Sequence, residues 1–330
     1  MTSSAAVPPI RRIVVTGAAG RLGSALVHKL AQELSLPILG IDRAADPGLG
    51  IDYLRTELTD VSTLTSTLQA DDLLVHVAAV HGLSAGFSSL DDDMYFDLNC
   101  KATWNLYSAA AKAGVRKTIL TSTIGALGAD PEPTPFKRYS GFESYPAGIG
   151  VYGLSKHIQE EIAFTFAHYS ATSTVALRPP AFVALEPVEV GLMLTKDYLT
   201  VDDILDGHVA AAVAILDGRV LGSAGVVEQI FLANTLPYQP PDAVLIEPDG
   251  NFFAVVEKYW PDAASWLADQ GYRAQPQTPF LLFSPTRLPM IASRFCTSVE
   301  SADPCPSGEG EKSAPAEGTP ASPGRTEGRR

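Results

Sequence analysis

Short apolar runs rich in β-branched residues alternate with helical patterns along most of the chain. Seven runs predict strands, at 13–15, 38–41, 51–54, 73–77, 118–121, 174–177 and 230–233. The stretches between them predict helices, the best bounded at 60–68, 91–113, 151–170, 201–216 and 252–259. The run at 73–77 is mostly apolar, as expected of a central parallel strand covered on both faces. The alternation predicts an α/β fold with a doubly wound parallel sheet.

The first apolar run leads into a glycine-rich turn, Thr16-Gly17-Ala18-Ala19-Gly20-Arg21-Leu22-Gly23, and a helical pattern follows. Strand, turn and helix in this order are the context of a dinucleotide-binding loop. Gly17 can adopt backbone angles that side chains forbid, Gly20 allows a pyrophosphate to approach, and Gly23 allows close helix packing. The helix N-terminus offers N–H groups to phosphates. Because the spacing differs from Gly-x-Gly-x-x-Gly, a glycine-rich turn without a ligand is the alternative interpretation.

The second apolar run ends at Asp42, where a carboxylate can accept hydrogen bonds from the adenosine ribose hydroxyls. A carboxylate at this position repels a 2′-phosphate, so NAD is favoured over NADP. Arg43 follows at once and can instead hold that phosphate, so NADP is not excluded. The alternative interpretation of both residues is a solvated loop pair. Asp60, at the start of the next helix, is a candidate N-cap.

Tyr152 and Lys156 are four residues apart and share one face of the helix at 151–170. A tyrosine has a pKa of about 10, and a nearby ammonium favours the phenolate, so the pair suits a general base. Lowering that pKa by about three units requires about 4 kcal/mol of differential stabilisation. Ser122 or Thr123, at the end of a neighbouring strand, is the natural hydroxyl donor. Following a glycine loop, this arrangement predicts a catalytic site.

Three residues near strand ends have two interpretations each. His76 lies inside its strand, which favours a hydrogen-bonded core histidine over a catalytic one. His81 lies on the following loop, where a substrate contact and a surface position are equally open. Arg178 can hold either a substrate anion or a carboxylate of the fold. The long loop at 128–150 is predicted to cover or line a site. The acidic run at 91–93 suits a helix start, so no metal site is predicted.

Composition narrows the class of protein. The 330 residues, 46% hydrophobic and 18% charged, describe a globular chain with a large core. A formal net charge of −13 argues against a nucleic-acid partner. No apolar window is long enough to span a bilayer, so no membrane role is predicted. Cys100, Cys296 and Cys305 form neither a zinc spacing nor a disulfide framework, which favours a reducing, cytoplasmic setting.

These motifs jointly resemble the extended short-chain dehydrogenase/reductases, also called the NAD-dependent epimerase/dehydratase family. The resemblance runs from about Ile13 to about Asp217, with weaker similarity to about Phe295. Besides the glycine loop, the matching elements are Asp42, Asp60, His76-Val77-Ala78-Ala79, Asn99, Ser122-Thr123, Tyr152-Gly153-Leu154-Ser155-Lys156, Leu177-Arg178-Pro179 and Val201-Asp202-Asp203.

The resemblance implies a role for each matching residue. Tyr152 would be the general acid/base, Lys156 would bind the nicotinamide ribose and lower the tyrosine pKa, and Thr123 would be the catalytic hydroxyl. Asp60 would contact the adenine, and Asn99 would support the active-site structure. The implied NAD-binding residues are Gly17, Gly20, Arg21, Leu22, Gly23, Asp42, Leu58, Asp60, Ala78, Ala79, Asn99, Tyr152 and Lys156. The candidate substrate contacts are His81, Thr123 and Arg178.

Together with the composition of the C-terminal segment, the resemblance predicts an organisation into four regions. They are a flexible N-terminus at 1–11, an NAD-binding Rossmann domain at 12–180, a small substrate-binding part at 181–298 interleaved with the last Rossmann elements, and a disordered tail at 299–330. The segment between Arg178 and Asp202 is shorter than in nucleotide-sugar epimerases and is similar to that of uronate dehydrogenases, although their substrate motif is not clearly present. We therefore expect a homodimer that transfers a hydride between NAD and a small sugar-like alcohol or carbonyl.

Three alternative functions stay open at this point. A nucleotide-sugar epimerase or dehydratase would use the same groups but keep its cofactor bound through the cycle. A dinucleotide-sensing protein would bind the cofactor without chemistry, and members of that kind often lack the tyrosine–lysine pair. A steroid- or flavonoid-type reductase would use NADP and a broad apolar pocket, and Asp42 speaks against NADP.

Overall fold

A seven-stranded parallel sheet forms the centre of the molecule. In the computed structural model the described residues form nine strands, β1 Arg12–Thr16, β2 Ile38–Asp42, β3 Asp52–Arg55, β4 Asp72–His76, β5 Lys117–Thr121, β6 Arg138–Tyr139, β7 Ser173–Arg178, β8 Val227–Phe231 and β9 Leu282–Phe283. The main sheet has the order β3-β2-β1-β4-β5-β7-β8, and β6 pairs separately with β9. The chain order reverses between β1 and β4, where doubly wound sheets bind their ligands. The predicted fold class is confirmed.

The structure describes residues 8–81, 91–132, 136–139, 143, 145–146, 150–182, 187–194, 198–245, 252–272 and 282–283. All of them belong to the unit Met1–Cys296. The predicted tail at 299–330 and residues 1–7 of the predicted flexible N-terminus lie outside the described residues. The proposed division at 180 and 298 stays a prediction.

Helices pack on both faces of the sheet. They are α1 Arg21–Glu33, α2 Val61–Thr67, α3 Asp92–Tyr95, α4 Ala102–Ala113, α5 Gly150–Ser170, α6 Pro187–Leu194, α7 Val201–Leu216, α8 Phe252–Tyr259 and α9 Ala263–Asp269. Side chains of alternate strand residues point to opposite faces, so Ile13 and Val15 pack in one core cluster with α1 and α7, whereas Val14 packs in a second cluster with α2 and α4. Central strands covered on both faces explain their near-continuous apolar sequence.

Side-chain caps explain where several helices begin. The carboxylates of Asp60 and Asp91 accept hydrogen bonds from the third backbone N–H of α2 and α3, respectively. Thr200 and Asp203 form a reciprocal capping box at α7. Gly114, with φ of 85°, ends α4 in the left-handed conformation that favours glycine. The predicted caps at 60 and 91–93 are confirmed.

The predicted single helix at 91–113 is wrong in one respect. A π-helical segment, Phe96–Lys101, separates α3 from α4 without a break in the helical path. The sequence pattern also does not predict α6, α9 or the β6–β9 pair. The α6 sequence is almost wholly apolar and therefore shows no helical periodicity, and the two strands are two residues long each.

The described residues of the loop at 128–150 contact later parts of the chain, which hold the loop in place. The Arg138 guanidinium donates to the backbone carbonyl oxygens of Leu236 and Tyr238, and the rings of Phe136 and Tyr238 lie 5.1 Å apart. These contacts hold the loop close to the carboxyl ends of the strands. Among the described residues no helix is long and apolar enough to cross a membrane, and no cluster of His, Cys, Asp and Glu could hold a metal ion.

Candidate active site

The glycine loop connects β1 to α1 at the point where the strand order reverses. Gly17 has φ of +74°, and a Cβ added there would lie 2.7 Å from the Cα of Ala78. A Cβ at Gly23 would lie 2.0 Å from the carbonyl oxygen of Gly17. Both glycines are therefore required by contacts within the protein, as the sequence predicts.

Gly20 differs from the other two glycines. Gly20 is exposed, and a Cβ added there would lie 3.1 Å from the Gly17 carbonyl oxygen. It caps α1 without any side-chain hydrogen bond, so the N–H groups of the first turn face outward uncapped. Arg21 is exposed beside it, and Leu22 packs partly against the core. This geometry suits a phosphate at the helix N-terminus.

Asp42 holds the end of β2 against the glycine loop. Its two carboxylate oxygens accept hydrogen bonds from the backbone N–H groups of Ala19, at 3.1 Å, and Ala44, at 2.9 Å. Each carboxylate oxygen retains acceptor capacity for a ribose hydroxyl. Arg43 is exposed, and its carbonyl oxygen accepts from the Arg55 Nε at 3.1 Å. The carboxylate is thus fixed in place before any ligand arrives.

The remaining predicted cofactor contacts lie around the same edge of the sheet. Asp60 accepts from Ser62 Oγ at 2.8 Å and from the hydroxyl of Thr63 at 2.7 Å, and these hydrogen bonds lower its pKa. Leu58 packs half-buried against the core near α2, and Ala78 and Ala79 are half-buried beyond β4. The adenine contact of Asp60 and the cofactor contacts of these apolar residues stay predictions.

His76 is a buried core residue. Its Nδ1 lies 2.7 Å from Thr16 Oγ1 and its Nε2 lies 2.8 Å from Thr103 Oγ1. Burial lowers its pKa to about 3, so the ring is neutral at physiological pH. The hydrogen-bonded core histidine is the correct interpretation.

Asn99, in the π-helical segment, joins the end of β4 to α5. Its side-chain oxygen accepts from the Val80 N–H at 2.7 Å, and its amide nitrogen donates to the Val80 carbonyl oxygen and to Ser155 Oγ. The side chain is fully buried and both amide hydrogens are used within the protein. Asn99 therefore ties Val80, beyond β4, to α5, and both its supporting role and its cofactor contact stay predictions.

Tyr152 and Lys156 lie near the start of α5, and Lys156 contacts the end of β5, just before Thr123. The Lys156 Nζ is buried, lies 6.0 Å from the centre of the Tyr152 ring, and donates to the Thr121 carbonyl oxygen at 2.9 Å. Thr123 is half-buried, and its Oγ1 accepts from the Gly125 N–H at 3.3 Å, which leaves the hydroxyl proton for another acceptor. The structure thus places Lys156 beside Tyr152 and against the end of β5, and the catalytic roles of the three residues stay predictions.

Loss of water shifts the pKa values of the pair in opposite directions. Burial raises the pKa of Tyr152 to about 12, with a smaller contribution from Tyr95. Burial lowers the pKa of Lys156 to about 7, and the nearby Glu160 carboxylate opposes this shift. Base catalysis needs both shifts to be reversed, which positive charge near the phenol and negative charge near the ammonium achieve.

Arg178 binds a carboxylate of the fold. Its Nε and Nη2 donate to the two carboxylate oxygens of Glu160, at 3.0 and 2.6 Å, and both residues are buried. The carboxylate of the fold is thus the partner that the structure shows, and a substrate contact by this guanidinium stays a prediction. Ser122 also donates to Glu160, which leaves Thr123 as the hydroxyl available to a substrate.

Sequence reasoning missed Tyr95 and Glu160 beside the catalytic pair, whereas it named His81 as a candidate substrate contact. The rings of Tyr95 and His81 each lie 6.2 Å from the Tyr152 ring, edge to face, so Tyr152 is flanked on two sides. Burial lowers the pKa of His81, and the charges of Arg21 and Lys156 add to this shift. Tyr95 stands four residues before Asn99, a spacing on one helical face that could have identified it. Glu160 stands four residues after Lys156, and the same helical spacing could have identified it.

Comparison with known proteins identifies the family. The model of the NAD dependent epimerase/dehydratase family matches residues 13–190, which is more than half of the chain. The chain belongs to this family. It is accordingly an NAD-dependent enzyme of the dehydrogenase and epimerase type.

Three members of this family or fold illustrate the range. The L-arabinose 1-dehydrogenase (NAD(P)(+)) of Haloferax volcanii is 27% identical over 201 residues, which cover 56% of this chain and 68% of that protein. Uronate dehydrogenase from Agrobacterium tumefaciens has a TM-score of 0.53 and 23% identity, covering 68% of this chain and 77% of that one. UDP-glucose 4-epimerase from Brucella ovis in complex with NAD has a TM-score of 0.56 and 19% identity, covering 71% of this chain and 81% of that one.

The residues of this family member fit NAD. The uncapped N-terminus of α1, beside the exposed Gly20, would hold the pyrophosphate, and Asp42 would hold the adenosine ribose. Lys156 and Tyr152 would meet the nicotinamide ribose. When bound, NAD supplies a hydride acceptor at C4 of its nicotinamide ring.

Replacing Asp42 tests the cofactor choice of this epimerase/dehydratase family member. We expect Asp42→Asn to weaken NADH binding about tenfold and to narrow the preference for NADH over NADPH, because a charged acceptor contributes about 1.5–3 kcal/mol. Fluorescence titration with both cofactors measures the ratio. Asp46→Asn is the matched control, since Asp46 caps a nearby turn through Gly48 and Leu49 and carries the same charge. An unchanged ratio in Asp42→Asn would contradict this assignment.

Proposed function

We propose that this protein catalyses reversible hydride transfer between NAD and a secondary alcohol or carbonyl of a small, sugar-like substrate. The observation that carries the proposal is the buried Lys156, which lies 6.0 Å from the centre of the Tyr152 ring and donates to the Thr121 carbonyl oxygen, two residues before Thr123. Thr123 orients the substrate hydroxyl through its free proton-donating capacity. Tyr152 takes the hydroxyl proton onto its phenolate oxygen as the hydride leaves the carbon that bears this hydroxyl. In the reverse direction Tyr152 returns the proton.

The charge of Lys156 serves the proton transfer. A protonated Lys156 beside Tyr152 stabilises the phenolate and opposes the effect of burial on the tyrosine pKa. The Thr121 carbonyl oxygen fixes the position of the ammonium. Pre-positioned charge of this kind is effective because little water remains around either group.

A small substrate is supported by the short segment between β7 and α7. Its described residues contain one short helix, α6, and a bridge between Ala181 and Tyr198. This leaves little chain for a nucleotide pocket. Relatives named for arabinose and uronate oxidation support the same substrate class. The flanking rings of Tyr95 and His81 offer an aromatic face and a neutral hydrogen-bonding imidazole to a polyhydroxylated ligand.

The second candidate function is a nucleotide-sugar epimerase. It is favoured by the shared fold with UDP-glucose 4-epimerase. An epimerase of this kind retains its cofactor through the cycle, whereas a dehydrogenase releases NADH.

The experiment is NADH formation from NAD over free sugars, sugar acids and simple alcohols, with nucleotide sugars and NADP alongside. The proposal expects activity with a free sugar or sugar acid from protein purified without bound NAD. Tightly bound NAD together with conversion of nucleotide sugars alone would contradict it and favour the epimerase.

We further propose a cytoplasmic homodimer that associates through α4 and α5. Phe96, Trp104 and Phe164, on or next to these helices, are 41%, 48% and 41% exposed, respectively. Such large exposed apolar side chains favour an interface. The cytoplasmic setting is supported by Cys100, a buried free thiol.

Replacing one exposed tryptophan tests the dimer. We expect Trp104→Glu to convert a dimer to a monomer, because it places a charge within the apolar surface. Trp266→Glu is the matched control, since Trp266 is 50% exposed but lies on α9. Sedimentation velocity measures the mass. A dimeric Trp104→Glu protein, or a monomeric native protein, would contradict this interface.

A further inference from the structure

A buried carboxylate lies one helical turn behind Lys156. Glu160 is 1% exposed and accepts four hydrogen bonds, from Ser122 Oγ, from Arg178 Nε and Nη2, and from Gln229 Nε2 at 2.6 Å. Nearly all of its acceptor capacity is therefore used. The negative charge is held within the protein and not in solvent.

This cluster joins the catalytic helix to three strands. Glu160 belongs to α5, Ser122 follows β5, Arg178 ends β7, and Gln229 lies in β8. Lys156, on the same helix, donates to the Thr121 carbonyl oxygen at the end of β5. The helix is thus attached to consecutive residues of the β5 end at two points one turn apart, immediately before Thr123.

Packing between α5 and the strands does not by itself explain the buried ion pair of Glu160 and Arg178. Removing two charges from water has a cost that their mutual attraction often fails to repay, and apolar residues of similar volume pack equally well. The Nη1 atom of Arg178 is moreover buried without a hydrogen-bond partner among the described residues. A carboxylate at this depth therefore calls for a role beyond packing.

The surroundings of Lys156 show what the carboxylate can do. Nearly all the groups around its ammonium are neutral at physiological pH, and burial in this setting disfavours the charged form. The titratable groups that face it are Tyr152 and Glu160 of α5, Cys100 of the π-helical segment, His76 of β4 and His81 beyond β4. Glu160 is the carboxylate in this set, and its charge favours the ammonium.

We propose that Glu160 is a positioning residue for hydride transfer, which holds the Ser122–Thr123 strand end against α5 and keeps the ammonium charge on the buried Lys156. This inference rests on the proposed function, because it takes Lys156 as the residue that binds the nicotinamide ribose. Glu160 thus has two separate effects. It holds the strand end through the hydroxyl of Ser122, and its negative charge favours the ammonium form of Lys156.

NADH binding as a function of pH tests the charge effect without any substrate. In the native protein we expect affinity to be constant at low pH and to fall as pH rises through about 7, where free Lys156 loses its proton. In Glu160→Gln the fall should begin at lower pH, by about one unit, because the carboxylate that favours the ammonium of Lys156 is gone. Fluorescence titration between about pH 5 and pH 9 gives the midpoint.

Three variants separate charge from structure. Glu161→Gln, the exposed neighbour on α5, removes the same charge and should keep the native midpoint. Lys156→Met should abolish the pH-dependent fall, which assigns the midpoint to this ammonium. Ser122→Ala should keep the midpoint but lower kcat several-fold with KM nearly unchanged, since it loosens only the support of Thr123.

A folded Glu160→Gln protein with the native midpoint would overturn the inference. If that variant fails to fold because Arg178 is left unpaired, the double variant Glu160→Gln/Arg178→Gln removes both charges and keeps polar side chains at both positions. A lowered midpoint is expected there too, by less than in Glu160→Gln because the positive charge of Arg178 is also removed, and a native midpoint would overturn the inference. NADH binding with the expected shift but no oxidation of any sugar would refute the proposed function and leave only the effect of Glu160 on the charge of Lys156 in place.

Discussion

Tyr152→Phe is expected to lower the rate of NADH formation by about 10²–10⁴-fold, the usual contribution of a positioned general acid or base. The substitution removes a single oxygen from a half-buried ring, so the ring contacts with Tyr95 and His81 persist. Affinity for NAD should change little, because the glycine loop and Asp42 are untouched. Steady-state kinetics and cofactor titration on the same protein measure both quantities.

The matched control is Tyr169→Phe. Tyr169 lies on the same helix, is 80% exposed, and stands far along α5 from the catalytic pair. This variant should retain native rates. A Tyr152→Phe enzyme that works within about threefold of the native rate would show that another group moves the proton, and the assignment of the base would fall.

Gly23→Ala is expected to abolish cofactor binding and to destabilise the protein. The new Cβ would lie 2.0 Å from the Gly17 carbonyl oxygen and 2.8 Å from its carbonyl carbon, so α1 must move away from the loop. Both atoms belong to the backbone and cannot turn aside as a side chain can. Overpacking of this kind costs about 1–3 kcal/mol or more, and a displaced α1 no longer presents its N–H groups to the phosphates.

Gly191→Ala provides the control within a helix. A Cβ at this position of α6 meets nothing within 4 Å. Alanine is the better helix former by about 1 kcal/mol, so the variant should be as stable as the native protein or slightly more stable. Thermal unfolding and NADH titration distinguish the two glycines. Native cofactor affinity in Gly23→Ala would contradict the assignment of the loop.

Local signals explain why much of the fold could be predicted. Helices α7 and α8 begin and end where the sequence pattern places them, since 201–216 and 252–259 agree with the observed bounds. The caps at Asp60 and Gly114 depend on chemistry within a few residues. Gly23 is likewise constrained within the loop by the Gly17 carbonyl oxygen, so a local pattern of glycines between a strand and a helix indicates the turn.

Contacts between distant residues could not be predicted in the same way. The partner of Arg178 lies 18 positions away, and sequence alone left a substrate anion and a fold carboxylate equally open. The β6–β9 pair joins positions 138–139 to 282–283, beyond the reach of any local pattern. The π-helical segment adds no distinct residue signature, so Asn99 and Tyr95 fall in one continuous helical prediction.

Transfer of deuterium tests the central claim most directly. The protein is incubated with NAD and a free sugar or sugar acid that carries deuterium on its ring carbons, and the NADH released is analysed by mass spectrometry. The account predicts free NADH that carries one deuterium, formed by the native protein and absent with Tyr152→Phe. If the deuterium stays in the sugar and no labelled NADH is released into solution, net hydride transfer to NAD is contradicted.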